Sequence, residues 1–97
     1  MMHGGAEDAT PATEKIQNMC DSLKEHAESK TGTNFAEFTA KSFRSQVVAG
    51  TNYFVKVRVG EDQYAHLRIH EPPLSQGEVK LGDVQYPKKE EDAIEFF

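Results

Sequence analysis

Ninety-seven residues suit one domain, residues 1–97, with a single modest core and no room for two. At 37% apolar residues, a net charge of −5 and a pI near 5.3, the chain predicts a thin architecture in which one helix and one sheet face share a core. The acidic balance argues against nucleic acid or an anionic membrane surface as the main partner, because both need a basic footprint. No run approaches the ~18 consecutive apolar residues of a spanning helix. Cys20 is the single cysteine, so no internal disulfide can form. The opening Met1-Met2-His3-Gly4-Gly5 has neither a basic nor an apolar stretch of the secretory kind. Together these features point to a soluble protein of a reducing compartment, the cytosol.

Residues 1–12 read as a mobile terminus, with Gly4-Gly5 and Ala9-Thr10-Pro11-Ala12 offering little to pack. Thr13 is a good N-cap, and Glu14 places a negative charge where a helix dipole favours it. Ile16, Met19, Cys20, Leu23 and Ala27 then follow the spacing of one helical face. Gly32, in Thr31-Gly32-Thr33-Asn34, supplies a stop. The spacing predicts one amphipathic helix over about 13–30, which needs a sheet to lie on.

Four strands can supply that sheet. The first, about 37–48, carries Phe38, Ala40 and Phe43. The second, 52–60, alternates Tyr53, Val55, Val57 and Val59 with Lys56 and Arg58, as a half-buried strand does. Between them lies Gln46-Val47-Val48-Ala49-Gly50-Thr51-Asn52, seven residues without charge in a chain that is 28% charged. Ala49-Gly50 suits a tight reversal, because glycine is free to take positive φ. Such an uncharged tip is either an ordinary apolar hairpin or a surface made to be buried in a partner. Gly60-Glu61-Asp62 reads as a turn, and Tyr64 to His70 as a third strand, with Ala65, Leu67 and Ile69 inward and Tyr64, His66, Arg68 and His70 outward. Pro72-Pro73 ends the ladder, and a fourth strand runs about 79–86. Ile94, Phe96 and Phe97 predict a C-terminal end tied down by packing. One helix followed by antiparallel strands is an α+β roll.

The string Gln46-Val47-Val48-Ala49-Gly50 resembles the Gln-x-Val-x-Gly hairpin of the cystatins, and the chain is most similar to their small cytosolic branch, the stefins. The similarity runs on through Lys56-Val57-Arg58, Tyr64-x-His66-Leu67 and Asp92-x-x-x-Phe96, and so covers nearly the whole chain. It implies a cystatin-like roll with one N-terminal helix across a four- to five-stranded antiparallel sheet. It also implies a reversible, competitive, tight-binding inhibitor of papain-like cysteine proteases such as the cathepsins, monomeric when active. An N-terminal trunk, the Gln46–Gly50 hairpin and a second loop would form a wedge that fills the active-site cleft. Gly4 matches the trunk glycine, and Gly5 beside it leaves the register open by one residue. An opened hairpin would let two chains exchange segments as a domain-swapped dimer, which should lose inhibition because its tip is straightened.

The second loop departs from the family pattern. Stefins carry Leu-Pro there, whereas this chain reads Pro72-Pro73-Leu74-Ser75. Pro73 and Leu74 are the matching candidates, and the prolines can equally be read as simple strand terminators. This departure keeps an alternative open, a cystatin-fold interaction module without inhibitory activity. An enzyme is not expected. Cys20 sits beside Met19 on the apolar helix face, whereas a nucleophilic thiol needs an electropositive, partly exposed setting. His66 and His70 lie about 13 Å apart at strand rise, too far to share a metal. There is no phosphate-cradling loop or paired-carboxylate motif, and no metal or cofactor is expected.

Overall fold

The computed structural model describes residues 9–97, so Gly4 and Gly5 lie outside the described residues. The chain forms β1 (Thr10–Pro11), α1 (Glu14–Ser22), α2 (Lys24–Thr31), β2 (Thr39–Val48), β3 (Gly50–Gly60), β4 (Gln63–Glu71), a 3-10 turn (Pro73–Ser75) and β5 (Lys80–Lys88). The strands make one antiparallel sheet in the order β1-β2-β3-β4-β5, with the helical layer packed on one face. The expected α+β roll is the observed fold.

The predicted helix is present over nearly its full span but is interrupted at Leu23, where φ −112° and ψ 7° leave the helical region. The cause is local: Ser22 turns its hydroxyl back to donate to the Met19 carbonyl at 2.7 Å, and the Leu23 amide takes the nearer Cys20 carbonyl at 3.0 Å. Thr13 accepts from the Ile16 amide as the N-cap, and Gly32 closes α2 in the left-handed region at φ 69°. The face read from the spacing is the buried one: Ile16, Met19, Cys20, Leu23 and Ala27 pack with Val55, Val57, Val59, Ala65, Leu67, Ile69 and Leu81. Gln17 pins this layer to the sheet. Its amide donates to the Phe38 carbonyl at 2.9 Å and accepts from the Ala40 amide at 2.8 Å. Those backbone groups are thereby used where the chain enters β2, which starts at Thr39 rather than 37.

The other face of the sheet is also covered. Phe54, Lys56, Tyr64 and His66 point away from the helices and are nevertheless buried. The C-terminal segment 89–97 supplies the cover. Phe96 stacks on Phe54 at 4.7 Å between ring centroids, and Phe97 meets it edge-on at 5.6 Å. Three cations on the sheet hold this segment by backbone oxygens: Arg44 Nη1 donates to the Ile94 oxygen at 2.8 Å, Lys56 Nζ to that of Glu90, and Arg68 Nη1 to that of Phe97. The expected packing of the C-terminal end is therefore present, and it turns the outward positions Tyr64 and His66 into interior ones. Arg68 and His70 are only half-buried.

Ile94 is fully buried, whereas its neighbour Glu95 is exposed. Replacing Ile94 with Ala should therefore cost ~2–5 kcal/mol of stability in urea unfolding at pH 7.5. Glu95→Ala should stay within ~0.5 kcal/mol of the parent.

Candidate functional site

Beyond both covers, the β2–β3 hairpin projects as a bare ribbon. Val48 pairs with Gly50 across Ala49, Val47 with Thr51, and Gln46 with Asn52. Val47 is 86% exposed and Val48 44%, large values for valines on adjacent positions of a strand. Ala49 is exposed as well. The tip is thus apolar, uncharged and reachable from both faces of the ribbon.

One polar rung lies beneath it. Asn52 donates through Nδ2 to Gln46 Oε1 at 3.4 Å, and Asn52 Oδ1 lies 3.0 Å from His70 Nδ1. With the oxygen facing the ring, the imidazole proton belongs on Nδ1. Gln46 is therefore a half-buried strut that carries the tip, while Val47, Val48 and Ala49 form its surface.

Gly50 joins the hairpin to the loop between β4 and β5. Its φ is +94°, which disfavours any side chain, and a β-carbon there would stand 2.2 Å from the Glu71 carbonyl oxygen, 3.0 Å from the Pro73 nitrogen and 3.1 Å from the Pro72 carbonyl carbon. The backbones of the two loops are in contact because this position lacks a side chain. Glu71 is also held from its other end. Its carboxylate accepts from Tyr53 Oη at 3.2 Å and from Lys15 Nζ at 3.3 Å, linking α1, β3 and β4.

Three residues after Glu71, the second loop presents Leu74, which is 87% exposed. Leu74 adopts φ 56°, ψ 27°, the left-handed region that costs a leucine ~1–2 kcal/mol. Pro73 is exposed beside it, and the Gln76 amide closes the turn on the Pro73 carbonyl at 3.1 Å. The prolines do end β4, as strand terminators would, and they also hold an apolar side chain out into solvent. The structure thus brings Gln46, Val47, Val48, Ala49, Gly50, Pro73 and Leu74 to one end of the sheet. β1 also points there: its antiparallel pairing, Thr10 with Phe43 and Pro11 with Ser42, turns the Thr10 end toward the tip end of β2.

Cys20 is far from this description in character. It is fully buried in the helix-side core, and burial pushes its thiol up to about 12. A thiol in that setting stays protonated and unreactive. Among the described residues, no group of three or more His, Cys, Asp or Glu side chains could hold a metal ion, and no helix is long and apolar enough to cross a membrane.

The Gly50–Glu71 contact and the Gln46–Asn52–His70 rung were not read from the sequence. The rung follows once the hairpin apex is set at Ala49, because positions 46 and 52 are then opposite. The loop contact has no local signal, since it depends on how far β4 runs.

A model of the cystatin domain matches residues 4–90. Cystatin-B of Oplegnathus fasciatus is 44% identical over the whole of this chain and 98% of its own length. Human Cystatin-B is 39% identical over the whole length of both chains. The chain belongs to the cystatin family. The full-length similarity to Cystatin-B places it in the stefin branch, the type 1 cystatins. A pig relative, leukocyte cysteine proteinase inhibitor 1, is 39% identical over the whole of this chain and 95% of its own.

In this stefin the Gly50 contact is directly testable. Gly50→Ala should cost more than ~1 kcal/mol in urea unfolding, since it adds both a disfavoured φ and a backbone overlap. Backbone amide NMR signals of Leu74 and Gln76 should shift, while those of Val57 hold still.

Proposed function

We propose that this stefin is a reversible, competitive, tight-binding inhibitor of papain-like cysteine proteases, the cathepsins among them. The observation that carries the reading is the exposed, uncharged tip of Val47, Val48 and Ala49 standing beside the exposed Leu74. The pig relative's name, a cysteine proteinase inhibitor, supports the target class. In this reading the hairpin and the Pro73-Leu74 loop are two parts of one wedge, and residues before Thr10, with Gly4 or Gly5 among them, extend it as a trunk.

The physical case rests on desolvation and preorganisation. An apolar cleft accepts Val47, Val48, Ala49 and Leu74 without stranding a buried charge. The tip is fastened by two paired strands, the Gln46 rung and the Gly50 contact, so docking orders little that was loose. The strain at Leu74 is met in folding, before any partner arrives. Interfaces of about 1,600 Å² built from such rigid parts reach very high affinity. The inhibitor survives because a hairpin apex cannot lie extended across a catalytic thiol as a substrate does. We also assign it to the cytosol, on the reduced single cysteine.

Titration of papain, then of a cathepsin, with the purified monomer and a fluorogenic substrate tests the reading. Near-stoichiometric loss of activity is the expected result, and an uninhibited protease beside correctly folded monomer would sink it in favour of a non-inhibitory interaction module. Val48→Asp should weaken Kd at least ~100-fold, through burial of an unpaired carboxylate, with an unchanged urea midpoint. Removing residues 1–5 should act mainly by speeding dissociation in stopped-flow displacement.

A further inference from the structure

His66 sits in the middle of β4 on the face away from the helices. It is 0% exposed, and neither Nδ1 nor Nε2 has a hydrogen-bond partner. Buried polar side chains are nearly always partnered, so a ring with two orphaned nitrogens calls for an explanation. Its surroundings come from three directions. Lys56 of β3 and Gln85 of β5 are its rung partners in the sheet, with Lys88 further along β5. The C-terminal segment supplies Asp92 and, on the Lys56 ammonium, the oxygen of Glu90. On its own strand, Tyr64 and Arg68 flank it on the same face.

We propose that His66 makes the C-terminal segment 89–97 an acid-released latch: protonating the ring lifts this segment from the outer face of the sheet while the helix-side core stays closed.

A neutral ring tolerates the site. An imidazolium there would be a second cation beside Lys56, the added N–H donor would have no acceptor, and the ring is shut off from bulk solvent while the segment stays down. Burial is the main force against protonation, Lys56 and Lys88 add to it, and Asp92 opposes it; the outcome is a ring pushed down to about 4 from an ordinary 6.5. The sign is fixed by linkage. The closed arrangement is favoured fully above pH 6.5 and loses that preference as pH falls toward 4, by up to ~300-fold in the closed-to-open ratio. Opening of the segment is the local way to hydrate the ring, since nine residues held by backbone oxygens, by Phe96 and Phe97 on Phe54, Arg44 and Arg68, and by the buried Ile94 cover this face, while the opposite face has the whole helical layer on it. Among the described residues, the buried charged or imidazole side chains are Lys56 and His66, both on the outer face, so the helix-side core offers no buried carboxylate or imidazole to titrate in this range.

The test is NMR of the full chain between pH 7.5 and pH 4, following the Ile94 methyls, the Phe96 and Phe97 amides, the His66 ring and the Ile16 and Val57 methyls. The expected result is movement of the 94–97 signals to random-coil positions at the same midpoint as the His66 ring, with Ile16 and Val57 unmoved. In His66→Phe the segment should stay closed at pH 4. Retention of closed signals in the parent at pH 4 would overturn the latch, as would release of the His66→Phe segment at the parental midpoint. Loss of the core signals together with the segment would also overturn it, as plain acid unfolding. Should His66→Phe fail to fold, the parent decides alone: different midpoints for ring and segment refute the proposal. Tightening of the segment on protonation, with Asp92 accepting from the ring, refutes it as well.

Discussion

The central constraint on this molecule is that β3 and β4 must be covered on both faces by a chain with one helical layer. Val55, Val57, Ala65 and Leu67 take the helices, which leaves Phe54, Lys56, Tyr64 and His66 facing water from the middle of a sheet. The C-terminal segment resolves this with aromatic rings and an isoleucine. Placing a lysine beneath it is expensive, and burial does lower the Lys56 pKa, with Asp92, Glu90 and Glu91 pulling it back. The Glu90 oxygen supplies the missing acceptor. Burial of polar groups is tolerated on this face wherever a backbone oxygen meets a cation, and His66 is the position at which that arrangement fails.

The candidate site exists because neither cover reaches the end of the hairpin. The same pairing that buries Val55 between Phe43 and Leu67 leaves Val47 and Val48 in solvent a few rungs on. An exposed ribbon of this kind would normally be soft. Here it is braced sideways by a glycine pressed on the neighbouring loop, and from below by an amide rung. Rigidity at the tip is thus a property of β4 and its loop as much as of the hairpin itself.

Much of this was legible in the sequence. Period 3.6 marked Ile16 to Ala27, period 2 marked Val55 to Val59 and Ala65 to Ile69, and the uncharged run from Gln46 to Asn52 marked the tip. Each of those signals is local, set by which side of an element meets the core. The break at Leu23 was hidden because Ser22 back-bonding competes with the helix only slightly, and no apolar position is displaced by it. The burial of His66 was hidden for a different reason: alternation assigns faces but cannot say that a distant segment returns to cover the polar one. Phe54, an apolar residue on the Lys56 face, and the terminal Phe96 and Phe97 were two halves of that clue. The meeting of Gly50 with Glu71 was beyond pattern reading altogether, since it depends on where two separate strand ends fall in space.

The attachment of the C-terminal segment has an evolutionary corollary. Arg44, Lys56 and Arg68 grip main-chain oxygens, which every amino acid carries, so the identities of Ala93 and Glu95 matter little to those grips. Spacing matters a great deal. Inserting or deleting one residue between Glu90 and Phe97 would put the three oxygens out of step with their cations, so that not all of them, nor Ile94 in its recess, could be kept at once. Related chains should therefore vary in the letters of this segment far more readily than in its length.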